Sequence, residues 1–487
     1  MNLAALLLAS ADSSPESIAV IEGERHVTAL ELRGLASNFG GALSAAGVGI
    51  GDRVAIASGN DLAFIVTYLG ALWVGAIAVP LNPHSPSVAV AEELEHVGAK
   101  ILVCGRAGSI HLGIVGAVAF DALMGAAQSA PLVSSALVER ENSDVAVLLY
   151  TSGTAGAQRA AMLTHANLAS NIKQVLDDTG LAITPNDLSL GALPFFHVFG
   201  LNVVLGVTLV AGGKVVLIDP FTAPEAIELI RKHQITVVAG VPVMFDALTS
   251  ADSDLGDDLR SVRLAVSGAA TLSAKSSTAF TQRYGVTIHE GYGLTEASPI
   301  VTSTASGGAA RIGSIGPSVP GVEVRLVGLD GMDVSAGDPG EIWVRGANVF
   351  AGYWGDPEAT QRVLTDGWLH TGDVAVADED GYLSLVDRLK DLIIVSGFNV
   401  YPAEVEDVLR THASVVDCAV AAIPDERTGE AVGAWVVLKM GERVDLEALR
   451  RHVGSRLARY KIPSKFTFID ELPRSEAGKL LRRALTL

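Results

Sequence analysis

Short unbroken apolar runs alternate with longer segments of mixed polarity along most of the chain. Residues 76–79, 145–149, 237–242 and 264–270 are of the first kind, the pattern of buried strands, the last two ending in small residues, and residues 51–57 read as a strand that becomes apolar after Arg53. Residues 17–23 and 25–28 predict a hairpin closed around Glu22, Gly23 and Glu24, while residues 29–46 and 62–73 predict helices. Strands alternating with helices of that length suggest a doubly wound sheet, and the alternation continues from Glu92 to Val118. Residues 119–141 carry the least pattern and read as a surface connection. Beyond them the run at 145–149 delivers the chain into a loop of small and hydroxyl residues, after which Thr164 can cap a helix beginning near His165. A long apolar helix is expected from Leu201. After Gly307 and Gly308 the texture changes to short β-type segments such as 322–327 and 340–345, and from Asp387 a second alternation of strands and helices runs to the end.

Composition narrows this picture. At 487 residues the chain is too long for one core, so two or three domains or subdomains are expected. Abundant glycine and few aromatics suit an α/β protein with many tight strand-to-helix turns. A net charge of −19 argues against a nucleic-acid partner, the tail from Arg474 to Arg483 being a local basic exception. Cys104 and Cys418 lie far apart in apolar company and read as buried free thiols in a reducing compartment, not as a disulfide or metal site. The N-terminus has no basic region before its apolar run, and no apolar segment reaches about 18 residues, which points to a cytoplasmic protein with an amphipathic first helix.

Candidate chemistry sits in three stretches. Tyr150, Thr151, Ser152, Gly153, Thr154, Ala155, Gly156, Ala157, Gln158 and Arg159 form a strand, loop, helix cradle in which small residues free backbone N–H groups, and hydroxyls and a cation suit a polyphosphate. No Gly-Lys-Ser/Thr follows Gly156, so it is not a Walker A loop; a surface loop without a ligand is the other interpretation. The stretch Gly291, Tyr292, Gly293, Leu294, Thr295, Glu296 offers an aromatic face for a base, a hydroxyl for a phosphate oxygen and a carboxylate for a hard cation, against the plainer alternative of a capped helix start. Asp373, after Thr371 and Gly372, is a carboxylate of the kind that holds a ribose, or an ordinary turn residue. Asn82-Pro83-His84 follows a strand end and reads as a turn.

Together these stretches resemble the adenylate-forming superfamily of acyl-CoA synthetases, firefly luciferase and peptide-synthetase adenylation domains. The loop is similar to that family's Tyr-Thr-Ser-Gly-Thr-Thr-Gly-x-Pro-Lys-Gly, with Ala155, Gln158, Arg159 and Ala160 replacing the second Thr, the Pro, the Lys and the final Gly. Tyr292 to Glu296 matches its Tyr-Gly-x-Thr-Glu motif. The resemblance implies ATP and AMP binding by Thr151, Ser152, Gly153, Thr154, Gly156, Arg159, Gly268, Ala269, Ala270, Gly291, Tyr292, Gly293 and Thr295, with Asp373 and Arg388 on the ribose. It further implies Mg2+ on Glu296 with Thr154, a hinge at Lys390, and CoA along Ser396, Gly397 and Phe398. Lys479 matches the catalytic lysine of the family's terminal loop, with Thr295 and His197 as further catalytic-site groups. The motifs fall in the family's order over nearly the whole chain, and the stretch 396–406 and the ending most resemble bacterial fatty acyl-CoA ligases.

The expected fold is therefore α/β. A large N-terminal domain of doubly wound sheets spans 1–389, with a β-rich subdomain at about 309–389, and a small, mobile α+β C-terminal domain spans 390–487. The implied reaction activates a carboxylic acid with ATP and transfers it to CoA. The family's acyl pocket maps to His197, Val241, Met244, Gly268, Ala269, Gly291 and Ala297, all small or apolar apart from the histidine. A second carboxylate would be buried there unpaired. Malonyl-CoA synthetases resemble this chain but carry an arginine where Gly291 stands, so the expected substrate is a medium- or long-chain fatty acid. Three alternatives stand beside it: an aryl-CoA ligase of the 4-coumarate type, an acyl-AMP ligase that loads a carrier protein, and a degenerate nucleotide-binding paralogue. Peripheral contact with a membrane supplying the acyl substrate and a homodimeric assembly are both compatible with the resemblance.

Overall fold

The computed structural model describes residues 1–129, 136–151, 158–251, 259–308, 310–395, 398–425, 429–442, 444–474 and 480–485. They form two compact units, Met1–Val324 with Val344–Leu369, and Arg325–Trp343 with His370–Leu487.

The first unit carries β1 (Ile18–Glu22), β2 (Arg25–Thr28), β3 (Arg53–Ala57), β4 (Ile77–Leu81), β5 (Ile101–Cys104), β6 (Ala117–Ala119) and β7 (Val145–Thr151). There follow β8 (Arg159–Thr164), β9 (Leu188–Gly191), β10 (Lys214–Leu217), β11 (Val237–Gly240), β12 (Leu264–Ser267), β13 (Ile288–Gly293) and β14 (Ile300–Ser303). One sheet has the order β6-β5-β3-β4-β7-β8 and the other β14-β13-β12-β11-β9-β10-β1-β2. From β13 to β1 the second sheet is parallel, with antiparallel β14 and β2 at its edges. The expected hairpin is present, with Glu22 opposite Arg25. So is the expected helix Leu62–Trp73, capped by the Asp61 carboxylate on the Phe64 N–H at 2.8 Å. Ten of its twelve residues are buried, as its unbroken apolarity requires.

Three local expectations are corrected. Within 119–141 a helix, Phe120–Ser129, replaces the structureless connection, and the Phe120 ring stacks on Phe39 at 5.1 Å between centroids. Arg159 to Thr164, expected to lead straight into a helix, form strand β8 antiparallel to β7 before the helix starts; Ala160 to Leu163 are recruited by pairing with β7, which composition alone does not reveal. Thr164 does cap the helix His165–Asp177, in a capping box with Asn167. Third, the apolar helix expected from Leu201 begins at Phe199 and is a π-helix to Val207.

Short β-segments then follow as expected, β15 (Val322–Val327), β16 (Gly340–Gly346), β17 (Leu364–Thr365), β18 (Trp368–Ala377) and β19 (Leu383–Arg388). They form a five-stranded sheet ordered β15-β16-β18-β17 with β19 beside β18. The rest of the second unit holds β20 (Ile393–Val395), β21 (Phe398–Val400), β22 (Val415–Asp425), β23 (Gly429–Leu438) and β24 (Lys465–Phe468). Its core packs Val405 and Leu409 of the helix Pro402–Arg410, and Leu449 and Val453 of the helix Leu446–Gly454, on Val420, Val432 and Val436. Both cysteines are buried and free, and burial pushes Cys104 up to about 11 and Cys418 to about 12. Among the described residues no helix is long and apolar enough to cross a membrane.

Candidate active site

Ser152, Gly153, Thr154, Ala155, Gly156 and Ala157 lie outside the described residues, so the site is built from what surrounds them. Thr151 and Arg159 pair across the base of the hairpin, the Thr151 hydroxyl donating to the Arg159 carbonyl at 3.4 Å. The Arg159 Nε donates to Asp356 Oδ2 at 3.1 Å, and its guanidinium lies 5.6 Å from the centre of the Tyr353 ring. Asp356 also accepts from the Ala359 N–H, capping the helix Pro357–Val363. That N–H first, and Arg159 second, hold its carboxyl below the usual range. The Tyr353 hydroxyl in turn donates to Glu296 Oε1 at 2.7 Å. Thus Arg159 and Glu296, from two motifs, meet at Tyr353, which sequence reasoning did not single out. Its signal was an Asp-Pro helix start at 356–357.

Backbone pairing sets this arrangement. Residues 351–354 run along the outer edge of β8, with Ala351 N–H to Met162 O at 3.0 Å, Met162 N–H to Gly352 O at 2.8 Å and Trp354 N–H to Ala160 O at 2.8 Å. The Phe350 N–H donates to the Glu296 carbonyl at 2.9 Å. Tyr292 lies on β13 opposite Thr302, 8% exposed, and Gly291 is opposite Ser303. At Gly293 an added Cβ would fall 2.0 Å from the Pro299 carbonyl oxygen, which accounts for glycine there. Thr295 and Glu296 begin a short 3-10 turn ending at the fully buried Ala297.

At the end of β12, Gly268 is buried while Ala269 and Ala270 are exposed, Ala269 with φ +66°. A Cβ on Gly268 would stand 3.0 Å from the Phe199 ring and 3.5 Å from the Gly291 carbonyl oxygen, so Gly268, Gly291 and Phe199 share one corner. Met244 is buried, Val241 half-buried, and His197 exposed with its ring 4.7 Å from that of Phe196.

In the second unit, Asp373 is buried on β18 directly opposite Arg388 of β19 in the antiparallel ladder, and its N–H donates to the Thr371 hydroxyl at 3.1 Å. It thus sits inside a strand, not on a free turn. Lys390 falls in the 3-10 turn Leu389–Asp391. Phe398 is 56% exposed and stacks on Tyr460 at 4.8 Å, next to the Lys461 to Glu404 ion pair. Ser396, Gly397 and Lys479 lie outside the described residues. Among the described residues no three His, Cys, Asp or Glu side chains are grouped to hold a metal.

Residues 7–354 match the family model for the AMP-binding enzyme, and residues 404–479 match the model for the AMP-binding enzyme C-terminal domain. The chain belongs to the AMP-binding enzyme family. This adenylate-forming enzyme is 38% identical to a feruloyl-CoA synthase of an Amycolatopsis species over 475 residues, 96% of this chain and 95% of the relative. It is 43% identical to a long-chain-fatty-acid–CoA ligase of Yersinia pestis over 346 residues, 71% of this chain and 61% of the relative. Among solved structures, o-succinylbenzoate coenzyme A synthetase of Bacillus subtilis in complex with ATP and a magnesium ion superposes with a TM-score of 0.87 at 30% identity, covering 99% of this chain and 98% of that one.

Glu296 fits a role at a magnesium ion. Mg2+ is commonly held by one or two carboxylates together with substrate phosphates, so a single carboxylate oriented by the Tyr353 hydroxyl suits it without an all-protein cage.

Proposed function

We propose that this chain, an AMP-forming acid–thiol ligase, joins an uncharged, extended carboxylic acid to CoA, with medium- or long-chain fatty acids preferred. The carrying observation is an apolar cavity lined by the same faces of β11 and β12 that lead to Val241 and Gly268. Strand side chains alternate, so Val237, Ala239 and the extended Val241 share one side, as do Leu264, Val266 and Gly268. Val237, Ala239, Leu264 and Val266 line an apolar cavity together with Val203, Val204 and Val207 of the π-helix. Of the hydroxyls in its lining, Thr208 donates to Ser189 at 2.8 Å. Among the described residues that line it none is ionisable, so a second carboxylate would meet no partner there.

In the proposed reaction the acid's carboxylate attacks the α-phosphorus of ATP, pyrophosphate leaves, and CoA thiolate then displaces AMP from the acyl-adenylate. Positioning and charge neutralisation do most of the first step. Lys479 bridges the attacking carboxylate and the α-phosphate, and Arg159 faces the pyrophosphate. Glu296 holds Mg2+, which when bound neutralises polyphosphate charge. A thiol with a reference pKa of about 8.5 needs no dedicated base.

A second reading, an aryl acid, is favoured by the flat Phe199 ring on Gly268 and by the likeness to feruloyl-CoA synthase over 96% of the chain. Thioester formation from octanoate, laurate, ferulate and malonate with ATP and CoA decides between them. Octanoate and laurate should exceed the other two by about tenfold or more in kcat/KM, the scale of two buried methylenes. A preference for ferulate selects the aryl reading, and a preference for malonate defeats the pocket argument.

A further inference from the structure

The Tyr353 side chain contacts both Arg159 and Glu296. Its backbone belongs to the segment paired with β8, its N–H donates to the Thr360 hydroxyl at 2.9 Å, and that hydroxyl donates to the Asp356 carbonyl at 2.9 Å. The ring stands edge-on to Phe350 at 5.0 Å and 75°, with the Arg159 guanidinium over it. From a ring so placed the hydroxyl donates to Glu296 Oε1.

We propose that Tyr353 is the positioning residue of the polyphosphate site: its hydroxyl sets the rotation of the Glu296 carboxylate, and its ring, with Asp356, sets the place of the Arg159 cation. The proposal rests on Glu296 as the Mg2+ ligand. Outer hydrogen bonds of this kind orient a metal ligand and commonly govern metal affinity by about ten- to a hundredfold. Tyr353 would thereby hold two charges that act on the same ATP molecule in fixed relation, although Arg159 lies on β8 and Glu296 in the 3-10 turn between β13 and β14.

The test is Tyr353→Phe, which keeps the ring and its packing and removes only the donor. Half-maximal Mg2+ in the ATP–pyrophosphate exchange should rise about tenfold, while the rate at saturating Mg2+ falls much less. Calorimetric ATP binding supplies a readout apart from turnover: the tightening of ATP binding by Mg2+ should shrink by a similar factor. Glu296→Gln is measured in parallel. If Glu296→Gln shifts the Mg2+ midpoint and Tyr353→Phe does not, the positioning role is wrong although Glu296 keeps its own. If neither shifts it, Glu296 is not the ligand and the proposal falls with that assignment. A folded Tyr353→Phe that loses rate equally at all Mg2+ concentrations also overturns it.

Discussion

Arg159 occupies the position where related loops carry a lysine, and its surroundings show why the guanidinium suits this chain. It donates to Asp356 through Nε while lying over the Tyr353 ring. An ammonium can pair with the carboxylate but has neither the planar face nor the rigid fork of donors. Arg159→Lys is therefore expected to lower kcat/KM for ATP by about ten- to a hundredfold, with a much smaller change in KM for the acid. Steady-state kinetics against both substrates check this, and a loss under threefold would mean that charge alone matters at this position. The motif residues were legible in the chain because each sits in a short stretch of distinctive composition. Tyr353 was not, since its meaning depends on partners far away in sequence, Glu296 at 57 positions and, through Asp356, Arg159 at 197.

Elements defined by local signals were read correctly from the chain. The hairpin around Gly23 and the helix Leu62–Trp73 have a turn glycine, an Asp cap and unbroken apolar runs. Strand β8 escaped because Arg159, two alanines, a methionine and a leucine carry little strand preference of their own; β7 on one side and residues 351–354 on the other make it a strand. The π-helix Phe199–Val207 was equally hidden, and its register brings Phe199 onto Gly268. The same helix lends Val203, Val204 and Val207 to the lining of the apolar cavity. Phe199→Ala should move the optimum toward longer acids, with laurate and longer chains gaining about tenfold over octanoate in kcat/KM. Gly268→Ala should act in the opposite sense, because its Cβ would force the ring to shift. Chain-length profiles measure both, and an unchanged profile for both variants would place the tail elsewhere.

At the scale of the whole molecule, Lys479 is proposed to serve adenylation alone. Lys479→Ala should cut ATP–pyrophosphate exchange by about a thousandfold, the scale of a lost transition-state charge contact, and leave conversion of supplied acyl-adenylate to thioester within about threefold. Equal loss of both half-reactions in a folded variant would reject that division of labour. The first unit is also discontinuous in sequence, Val344–Leu369 returning to it after the excursion Arg325–Trp343. Arg159 and Asp356 are 197 positions apart, so at a synthesis rate of about 5–20 residues per second β8 leaves the ribosome roughly ten to forty seconds before the segment that covers its outer edge exists. During that interval the hairpin beneath the phosphate loop has an unpaired flank open to any passing strand. Nucleotide affinity is thus among the last properties this protein acquires as it is made.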